Sequence, residues 1–419
     1  MRLRPIATEG NRRGDVASFT PGDAERHVRE HSLRPGPVPR RVGVEVEWLV
    51  HDRSTPQGAV PFEALTAAVD AAGPLPGDSR VTFEPGGQLE LSGPPRPGPA
   101  AACAAVAADL DTLRPVLAAR GLALAGIGLD PARPPLRVVD TPRYRAMEAY
   151  FDLAGRAGRQ MMCSTAAIQV NVDAGPDPEV TWRTAHAVGA VLAATFANSP
   201  VLSGAATGWR STRLTTWWAI DPSRTRPVGG TDPEAAWVEY ALGARVMLMP
   251  GREFAPVLEP VTFAQWMARG HQDVWPDPAD LEYHLTTLFP PVRPRRFLEL
   301  RMIDSLPGPY WKVPVAVAAV LLDPELTEAV SSAVGPADGW WRTAARYGLS
   351  NPVLARAARH CFDLTEAALA GGPDAELIPV VRAYRQRWVD RGRCPADDVL
   401  AAWSRNAVYP QEYGFACTT

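Results

Sequence analysis

Four segments of this 419-residue chain alternate between apolar side chains on one side and carboxylates or amides on the other, which limits how the chain can fold. Successive side chains of a β-strand point to opposite faces, so each segment would form a strand with one apolar and one polar face. The polar sides hold, in chain order, Glu45 and Glu47, then Glu84 and Glu90, then Gln169, Asn171 and Asp173, and finally Glu299 and Arg301. The pattern predicts a sheet with helices packed around and behind its strands.

A sheet with one solvated face would give the same alternation. The choice of polar residues favours function instead, because solvent faces of strands prefer threonine, lysine and arginine, whereas these strand centres hold five glutamates. If they converge, two unit charges about 5 Å apart repel by ~3 kcal/mol at an effective dielectric constant of ~20, so cations are needed. Oxygen ligands suit Mg²⁺ or Mn²⁺ rather than zinc, and carboxylate-bound magnesium usually leaves positions for phosphate oxygens. The pattern therefore indicates metal-bound nucleotide chemistry.

The means of holding phosphate is limited by what the chain lacks. It contains neither the G-x-x-x-x-G-K-[ST] motif nor a Rossmann G-x-G-x-x-G motif. Lys312 is the only lysine, which we attribute first to a GC-rich genome. Arginines, backbone amides or metal ions must then hold the phosphate groups. Arg213, Arg224 and Arg301 are the candidates for binding anions; a structural ion pair is the alternative for each, and Arg301 stands out because it shares a strand face with Glu299.

Composition excludes several other classes of function. A formal net charge of -3 gives no surface suited to nucleic acid. The five cysteines, Cys103, Cys163, Cys361, Cys394 and Cys417, are scattered and never spaced C-x-x-C, so neither a zinc knuckle nor a secreted disulfide framework is expected. Met1–Arg13 lacks the apolar stretch of a signal peptide, and no apolar run is long enough to span a bilayer. We expect a soluble, cytoplasmic protein.

Periodicity elsewhere predicts an α+β fold, with strands in the first three-quarters of the chain. The predicted strands are Arg41–Val50, Val81–Ser92 interrupted at Pro85-Gly86-Gly87, Leu122–Ile127, Ala166–Asp173, Arg213–Ile220 and Phe297–Ile303. The predicted helices are Asp23–Glu30, Phe62–Ala72, Pro99–Arg120, Pro142–Leu153, Trp182–Ala197, Val313–Leu322, Trp340–Arg346, Pro352–Ala370, Ala375–Arg391 and Ala396–Ser404. We expect a partly ordered leader over residues 1–39, a catalytic sheet core over 40–312, and a helical portion of the same domain over 313–419.

The polar strands, with three further motifs, resemble the plant-type (type 2) glutamate–cysteine ligase family. The matching pieces follow the family's order over roughly residues 40–310: Gly43-Val44-Glu45-Val46-Glu47, Glu84-Pro85-Gly86-Gly87-Gln88-Leu89-Glu90-Leu91-Ser92-Gly93, Met161-Met162 leading into Gln169-Val170-Asn171-Val172-Asp173, Phe196-Ala197-Asn198-Ser199-Pro200, and His284-Leu285-Thr286-Thr287-Leu288-Phe289-Pro290 running on to Arg296-Phe297-Leu298-Glu299-Leu300-Arg301. The second and the last of these are specific, whereas a lone Glu-x-Glu carries little weight.

The resemblance implies a fold similar to glutamine synthetase, in which a curved antiparallel sheet forms a funnel that ATP and glutamate enter from opposite ends. It also implies the site. Glu47, Glu84 and Glu90 would hold one Mg²⁺, and Glu45 and Glu299 another, out of two or three ions that Mn²⁺ could replace. Arg301 and Glu299 would be catalytic, with Arg301 placed for the transferred phosphate. Four residues are expected to bind substrate: Arg213, Arg224, Gln169 and Asn171. Arg213 and Arg224 would receive the glutamate carboxylates, and Gln169 stands where more distant ligases carry a histidine ligand.

The function that the resemblance implies is ATP-dependent joining of L-glutamate and L-cysteine, through γ-glutamyl phosphate, to γ-glutamylcysteine. The actinobacterial branch that makes this product for ergothioneine synthesis is the most similar, and no counterpart of the redox-regulating cysteines of the plant enzymes is found. We expect a monomer or homodimer without nucleic-acid or membrane partners. The alternatives are a related carboxylate–amine ligase with another amine acceptor and a non-catalytic binding module on the same scaffold; a guanidino-substrate kinase shares the general fold but lacks a matching cysteine here.

Overall fold

The computed structural model describes residues 19–55 and 57–406; the first eighteen residues of the predicted leader, and Cys417, lie outside this range. The structure contains twelve short to medium strands in the described part of the chain. They are β1 (Arg41–Asp52), β2 (Arg80–Phe83), β3 (Leu89–Ser92), β4 (Arg96–Pro97), β5 (Leu122–Ala125), β6 (Ala167–Asp173), β7 (Val201–Leu202), β8 (Ala205–Ala206), β9 (Leu248–Met249), β10 (Ala255–Pro256), β11 (Val292–Pro294) and β12 (Phe297–Asp304).

Seventeen α-helices lie between and after these strands in the described residues. They are α1 (Pro21–His31), α2 (Phe62–Asp70), α3 (Pro99–Ala118), α4 (Pro142–Phe151), α5 (Arg156–Ser164), α6 (Pro178–Thr195), α7 (Thr212–Ile220), α8 (Pro222–Thr225), α9 (Pro233–Gly243), α10 (Phe263–Arg269), α11 (Pro278–Thr286), α12 (Lys312–Leu321), α13 (Thr327–Val334), α14 (Trp341–Tyr347), α15 (Pro352–Ala370), α16 (Ile378–Tyr384) and α17 (Pro395–Asn406). None of the helices in the described part of the chain is both long and apolar enough to cross a membrane.

One open, antiparallel sheet forms the centre of the fold. Its strands run in the order β11-β12-β6-β1-β3-β2, and β4 and β5 also pair with β1. The apolar side chains predicted to share one face, such as Val44, Val46 and Val170, are at most 1% exposed. They belong to a hydrophobic core that also contains the inner sides of α3, α6 and α12. Because this core fixes which side of each strand faces inward, the glutamates are all turned to the other face.

The hairpin between β2 and β3 places Glu84 beside this second face. The Gly87 amide donates to the Glu84 carbonyl (2.8 Å), which closes a tight turn. A side chain is not possible at Gly86, because a β-carbon there would lie 2.1 Å from the carbonyl oxygen of Cys163. Gln88 also has a structural role, since its amide nitrogen donates to the carbonyls of Met162 and Thr165. This turn therefore locks the hairpin onto the end of α5.

The second face of the sheet is covered by a smaller apolar cluster. It is built from α4, α5 and α7, with Tyr150, Phe151, Met161, Met162 and Ile220 among its buried members. A face enclosed in this way is not the solvated face that would also explain the alternation. The glutamates are thus held in a partly closed space between the sheet and these helices.

Two predicted elements differ from the structure. The prediction of a strand over Arg213–Ile220 is wrong, because these residues form α7, which begins at an N-cap where the Ser211 hydroxyl accepts from the Leu214 amide. Threonine and tryptophan favour strands in general, but packing of α7 against α5 decides the outcome here. The single helix predicted over Ala375–Arg391 is instead a 3₁₀ turn, the short helix α16 and a π turn. The predicted domain division at residues 39/40 and 312/313 stays a prediction.

Candidate active site

The strand register brings the polar side chains of five strands into one row across the sheet. Glu90 on β3 pairs directly with Glu47 on β1, and Glu45 pairs with Gln169 on β6. Further along, Asn171 on β6 pairs with Glu299 on β12, and Glu299 pairs with Arg293 on β11. Side chains at directly opposed positions have β-carbons about 5 Å apart, so neighbours in this row interact. The convergence expected from alternation alone is therefore present in the structure.

Two carboxylates of the row and a third from the β2–β3 hairpin are arranged so that they could hold a metal ion. One oxygen each from Glu47, Glu84 and Glu90 can be chosen such that all three lie within 4.8 Å of one another. Glu90 accepts hydrogen bonds from the Thr82 and Ser92 hydroxyls (2.8 and 2.6 Å), and Glu47 accepts from the Ala167 amide (2.8 Å). These bonds fix the orientation of two ligands before any ion arrives.

The charges in this cluster are not balanced by the protein alone. Burial, followed by repulsion from Glu90, raises the pKa of Glu47 to about 7. Burial and the charges of Glu90 and Glu47 also raise the pKa of Glu84 well above its usual value. At about 4.8 Å the repulsion is worth ~3 kcal/mol per pair at a dielectric constant of ~20. An oxygen-only, negatively charged site of this kind fits a hard divalent cation such as Mg²⁺.

Glu299 has a different environment, since two arginines neutralise it. Arg293 forms a bidentate ion pair with it, at 2.5 Å from Nε to Oε2 and 2.8 Å from Nη2 to Oε1, and Arg301 Nη1 lies 2.8 Å from Oε1. Although burial alone would raise the pKa of Glu299, these arginines lower it to about 2. Glu299 is thus ionised at all physiological pH values, and three of its acceptor positions are already in use.

Glu45 lies between the carboxylate cluster and Glu299. It accepts a hydrogen bond from the Asn171 amide (3.1 Å), which leaves the buried Asn171 Oδ1 without a partner among the described residues. Burial, followed by the charges of Glu299 and Glu90, raises the pKa of Glu45 to about 7. Glu45 does not fall into a three-residue ligand cluster in the described part of the chain. The Glu299 charge acts on it, and the second cation predicted between Glu45 and Glu299 stays a prediction.

Arg301 is at the centre of the face. Its Nη1 donates to Gln169 Oε1 as well as to Glu299. Its guanidinium lies 5.6 Å from the ring centre of Trp217 and 5.5 Å from that of Phe289, and these two rings also contact each other, so the guanidinium packs against an aromatic pair. An arginine fixed at this position can stabilise negative charge near the carboxylates without reorganising.

Arg213 is the second residue of α7; its Nη1 and Nη2 contact the protein, and its buried Nε has no hydrogen-bond partner in the described residues. Its Nη2 donates to the Arg301 carbonyl (2.7 Å), and its Nη1 lies 3.4 Å from the buried Asp304. Asp304 also accepts from the Asn198 amide and from the hydroxyls of Ser199 and Ser211. The Asn198-Ser199 motif noted in the sequence therefore has a structural task, which is to anchor the end of β12.

Arg224 lies outside the row of glutamates and is completely buried. Its Nε donates to Asp221 and its Nη1 to the carbonyl and hydroxyl of Thr287, while its Nη2 donates to Tyr150 and to the Arg245 carbonyl. An arginine has five N–H donors, and all five have protein partners here. This geometry gives no support to direct binding of a glutamate carboxylate by Arg224, and it explains part of the His284–Pro290 motif, which supplies Thr287.

Two residues near the site were missed by the sequence reasoning. Arg293 stands in an arginine-rich stretch with prolines, which conceals the β11–β12 hairpin. Counting back symmetrically from a turn centred on Arg296 would have placed Arg293 opposite Glu299. Arg143 begins α4, its charge acts on Glu84, and its Nε is buried without a hydrogen-bond partner in the described residues. Only tertiary packing of α4 brings it there, so no local signal could have revealed it.

The assembled face has the parts that phosphoryl transfer requires. Carboxylates are present to hold divalent cations, a clamped arginine can neutralise a transferring phosphate, and neither a lysine nor a cysteine nucleophile is among them. Chemistry of this type depends on positioning and charge neutralisation.

Comparison with known proteins assigns the family. The family model described as glutamate–cysteine ligase family 2 matches residues 41–414, nearly the whole chain. The chain belongs to this family. It is 44% identical over 388 residues to the glutamate–cysteine ligase EgtA of Mycolicibacterium smegmatis, covering 90% of each chain, and 40% identical over 422 residues to EgtA of Mycobacterium tuberculosis, covering 96% of this chain and 95% of the relative. The resemblance inferred from the motifs is confirmed.

Family 2 membership agrees with the fold. The crystal structure of a glutamate–cysteine ligase from Francisella tularensis in complex with AMP superposes with a TM-score of 0.55 at 13% identity, covering 90% of this chain and 86% of the other. At that identity the likeness concerns the fold alone. The prediction of a glutamine synthetase-like antiparallel sheet flanked by helices is confirmed.

Proposed function

We propose that this family 2 protein is an ATP-dependent glutamate–cysteine ligase that makes γ-glutamylcysteine for ergothioneine biosynthesis. The names of the two mycobacterial relatives support the activity. The single structural observation that carries the proposal is the cluster of Glu47, Glu84 and Glu90 beside the clamped Arg301. Mutually repelling, buried carboxylates are destabilising unless cations neutralise them, so their presence on a covered sheet face favours catalysis over a purely structural role.

We assign the first Mg²⁺ to Glu47, Glu84 and Glu90, and a second to Glu45 with Glu299. Bound there, the ions would neutralise phosphate oxygens of ATP and leave positions for them. The second position requires Glu299 to use its remaining acceptor capacity, because Arg293 and Arg301 occupy the rest. A third ion, and replacement by Mn²⁺, belong to the same proposal.

The reaction has two steps in which the protein positions its substrates. The γ-carboxylate of glutamate attacks the γ-phosphate of ATP, forming γ-glutamyl phosphate and releasing ADP. The amine of cysteine then attacks the acyl carbon and displaces phosphate, which gives the amide. We propose that Arg301 binds the transferring phosphoryl group and that Gln169 and Asn171 orient substrate from β6, Asn171 through its unpartnered Oδ1.

The structure leads us to assign supporting roles to Arg213 and Arg224. Arg213 adds positive charge that acts on Glu47 and fixes the Arg301 backbone, while Arg224 ties α8 to the loop that carries Phe289. We propose Arg143 as the residue that reaches toward a substrate anion near Glu84. The unpartnered Nε of Arg143 is the observation behind this assignment.

The direct test is an assay of γ-glutamylcysteine by mass, using purified protein with ATP, glutamate and cysteine, with and without Mg²⁺. The expected result is product only when all three substrates and the ion are present. Phosphate release with a panel of other amines, in place of cysteine, tests the alternative acceptor. Binding of ATP without product from any amine would contradict the proposal and favour a non-catalytic module. The proposal also includes a cytoplasmic location and a monomeric or homodimeric state.

A further inference from the structure

A second group of metal-ligand side chains shares no residue with the glutamate face. His27 and His31 lie one turn apart on α1, and Glu282 lies on α11, against which α1 packs. One nitrogen from each imidazole and one carboxylate oxygen lie within 4.8 Å of one another. Histidines at positions i and i+4 of a helix are on the same side of it, and the proximity of Glu282 shows that this side faces α11.

The tautomer of His31 is fixed in the form that a metal ligand needs. Its Nδ1 lies 2.8 Å from the His27 carbonyl oxygen, and a carbonyl can only accept a hydrogen bond. The proton of the neutral ring is therefore on Nδ1, and Nε2 carries the free lone pair. Metal-binding histidines are typically oriented by this kind of bond from the other ring nitrogen to a backbone carbonyl.

His27 has an unsatisfied nitrogen at the same place. Its Nε2 is buried and has no hydrogen-bond partner among the described residues; the closest carboxylate oxygen, Oε1 of Glu282, is 3.8 Å away, which is too far for a hydrogen bond. The two imidazole rings are stacked, with centroids 4.1 Å and planes 20° apart, so the rings must rotate apart for both lone pairs to point at one ion. Among the described residues, the charges that act on the His27 ring are those of the carboxylates Glu30 and Glu282 and of His31.

We propose that His27, His31 and Glu282 bind a divalent transition-metal ion, with Zn²⁺ as the best match, and that this ion links α1 to α11. Two imidazoles and one carboxylate are a ligand set that zinc accepts in tetrahedral geometry, with water in the fourth position. Imidazole ligands also separate this site from the oxygen-only site on the glutamate face, which suits Mg²⁺.

The link has a consequence for the active site. Helix α11 ends at Thr286, and the loop that follows it presents the Leu288 carbonyl to Arg293 Nη1 (2.8 Å) and places Phe289 against Arg301. An ion that holds α11 in place would therefore stabilise the segment that positions two active-site arginines. The ion itself has no part in the reaction.

The test is zinc binding to tag-free, metal-stripped protein, measured by competition with a chromophoric chelator in excess Mg²⁺, which occupies the carboxylate site. The variants are His31→Gln and Glu282→Gln, and the matched control is His360→Gln, an exposed histidine on α15. We expect the wild type and His360→Gln to bind one zinc ion with the same affinity. His31→Gln should bind it about tenfold or more weakly, and Glu282→Gln should show an intermediate loss of affinity. Co²⁺ in place of Zn²⁺ should give the visible absorption of a tetrahedral site in the wild type and in His360→Gln, but not in His31→Gln.

A folding defect is distinguished by thermal unfolding of the metal-free proteins, since His31→Gln should match the wild type without zinc and differ only when zinc is added. Equal zinc affinity and equal spectra for the wild type and His31→Gln would overturn the proposal, as would a loss that appears equally in His360→Gln.

Discussion

The ion pair between Arg293 and Glu299 provides the sharpest prediction about stability and function. We consider Arg293→Met, which keeps an unbranched side chain of similar length and removes the charge. The change leaves Glu299, which is 1% exposed, with Arg301 as its remaining bonded cation. Because Arg293 is the largest of the influences that lower the pKa of Glu299, that pKa should rise from about 2 toward neutrality.

The magnitude follows from the burial of both partners. Removing one partner of a buried, hydrogen-bonded ion pair costs about 3–5 kcal/mol, because the other charge stays buried without compensation. Arg293 Nη1 also donates to the Leu288 carbonyl, so part of the loss comes from this loop. Most of the loss should be recovered when the remaining charge is also removed, because replacing both members of a buried pair is often nearly neutral.

The assay is urea unfolding of Arg293→Met, Glu299→Gln and the double variant, with Arg296→Gln as the control. Arg296 is an exposed arginine in the same hairpin, and its replacement should change the free energy of unfolding by less than about 0.5 kcal/mol. The double variant should be less destabilised than the sum of the single variants by about 2 kcal/mol or more. Additive losses would refute the reasoning, because they would mean that the two side chains do not form an energetic pair.

Three further outcomes are expected. Glu84→Gln should raise the Mg²⁺ concentration for half-maximal activity about tenfold or more, whereas the exposed control Glu63→Gln should leave it unchanged. Equal Mg²⁺ requirements for the two variants would mean that Glu84 does not bind the metal. Arg224→Lys should lower the urea midpoint of unfolding, because lysine cannot replace five donors, and should leave the KM of the folded protein for glutamate near the wild-type value. A selective rise in this KM would show that Arg224 binds the substrate after all. Burial, then the charge of Arg224, lowers the pKa of His284 to about 3, so the folded state favours the neutral ring. The stability that the neutral ring contributes is therefore fully present above pH 6.5 and is lost as the pH falls toward 3. Between pH 6.5 and 5 the wild type should lose up to about 2 kcal/mol more than His284→Gln, and parallel pH profiles would contradict this.

The positions that the sequence predicted well are those governed by strand parity. Once Val44, Val46 and Val170 are buried, the pleat leaves Glu45, Glu47 and Gln169 no other face, and so the row of polar residues follows from local geometry. The same reasoning placed Glu299 and Arg301 together on β12. The C-terminal helices also followed from their 3.6-residue period, apart from α13, which was not predicted, and the interrupted segment at 375–391.

The failures are at places where long-range packing decides. Residues 213–220 contain strand-favouring side chains, yet they form α7 because a serine N-cap and packing on α5 outweigh local propensity. Arg224 was considered a substrate ligand because arginines near turns often are, and nothing local indicates that five protein acceptors surround it. Arg293 and Arg143 reach the site only through the hairpin and through the docking of α4.

The account depends most on divalent ions bound by carboxylates from separate strands. The measurement that tests it most directly is anomalous diffraction from crystals grown with Mn²⁺ and a non-hydrolysable ATP analogue. The expected result is an anomalous peak within coordination distance of Glu47, Glu84 and Glu90, with the terminal phosphate of the analogue on its open side and Arg301 in contact with that phosphate. Occupied nucleotide without a peak among these three carboxylates, or a peak held only by residues outside them, would contradict the account.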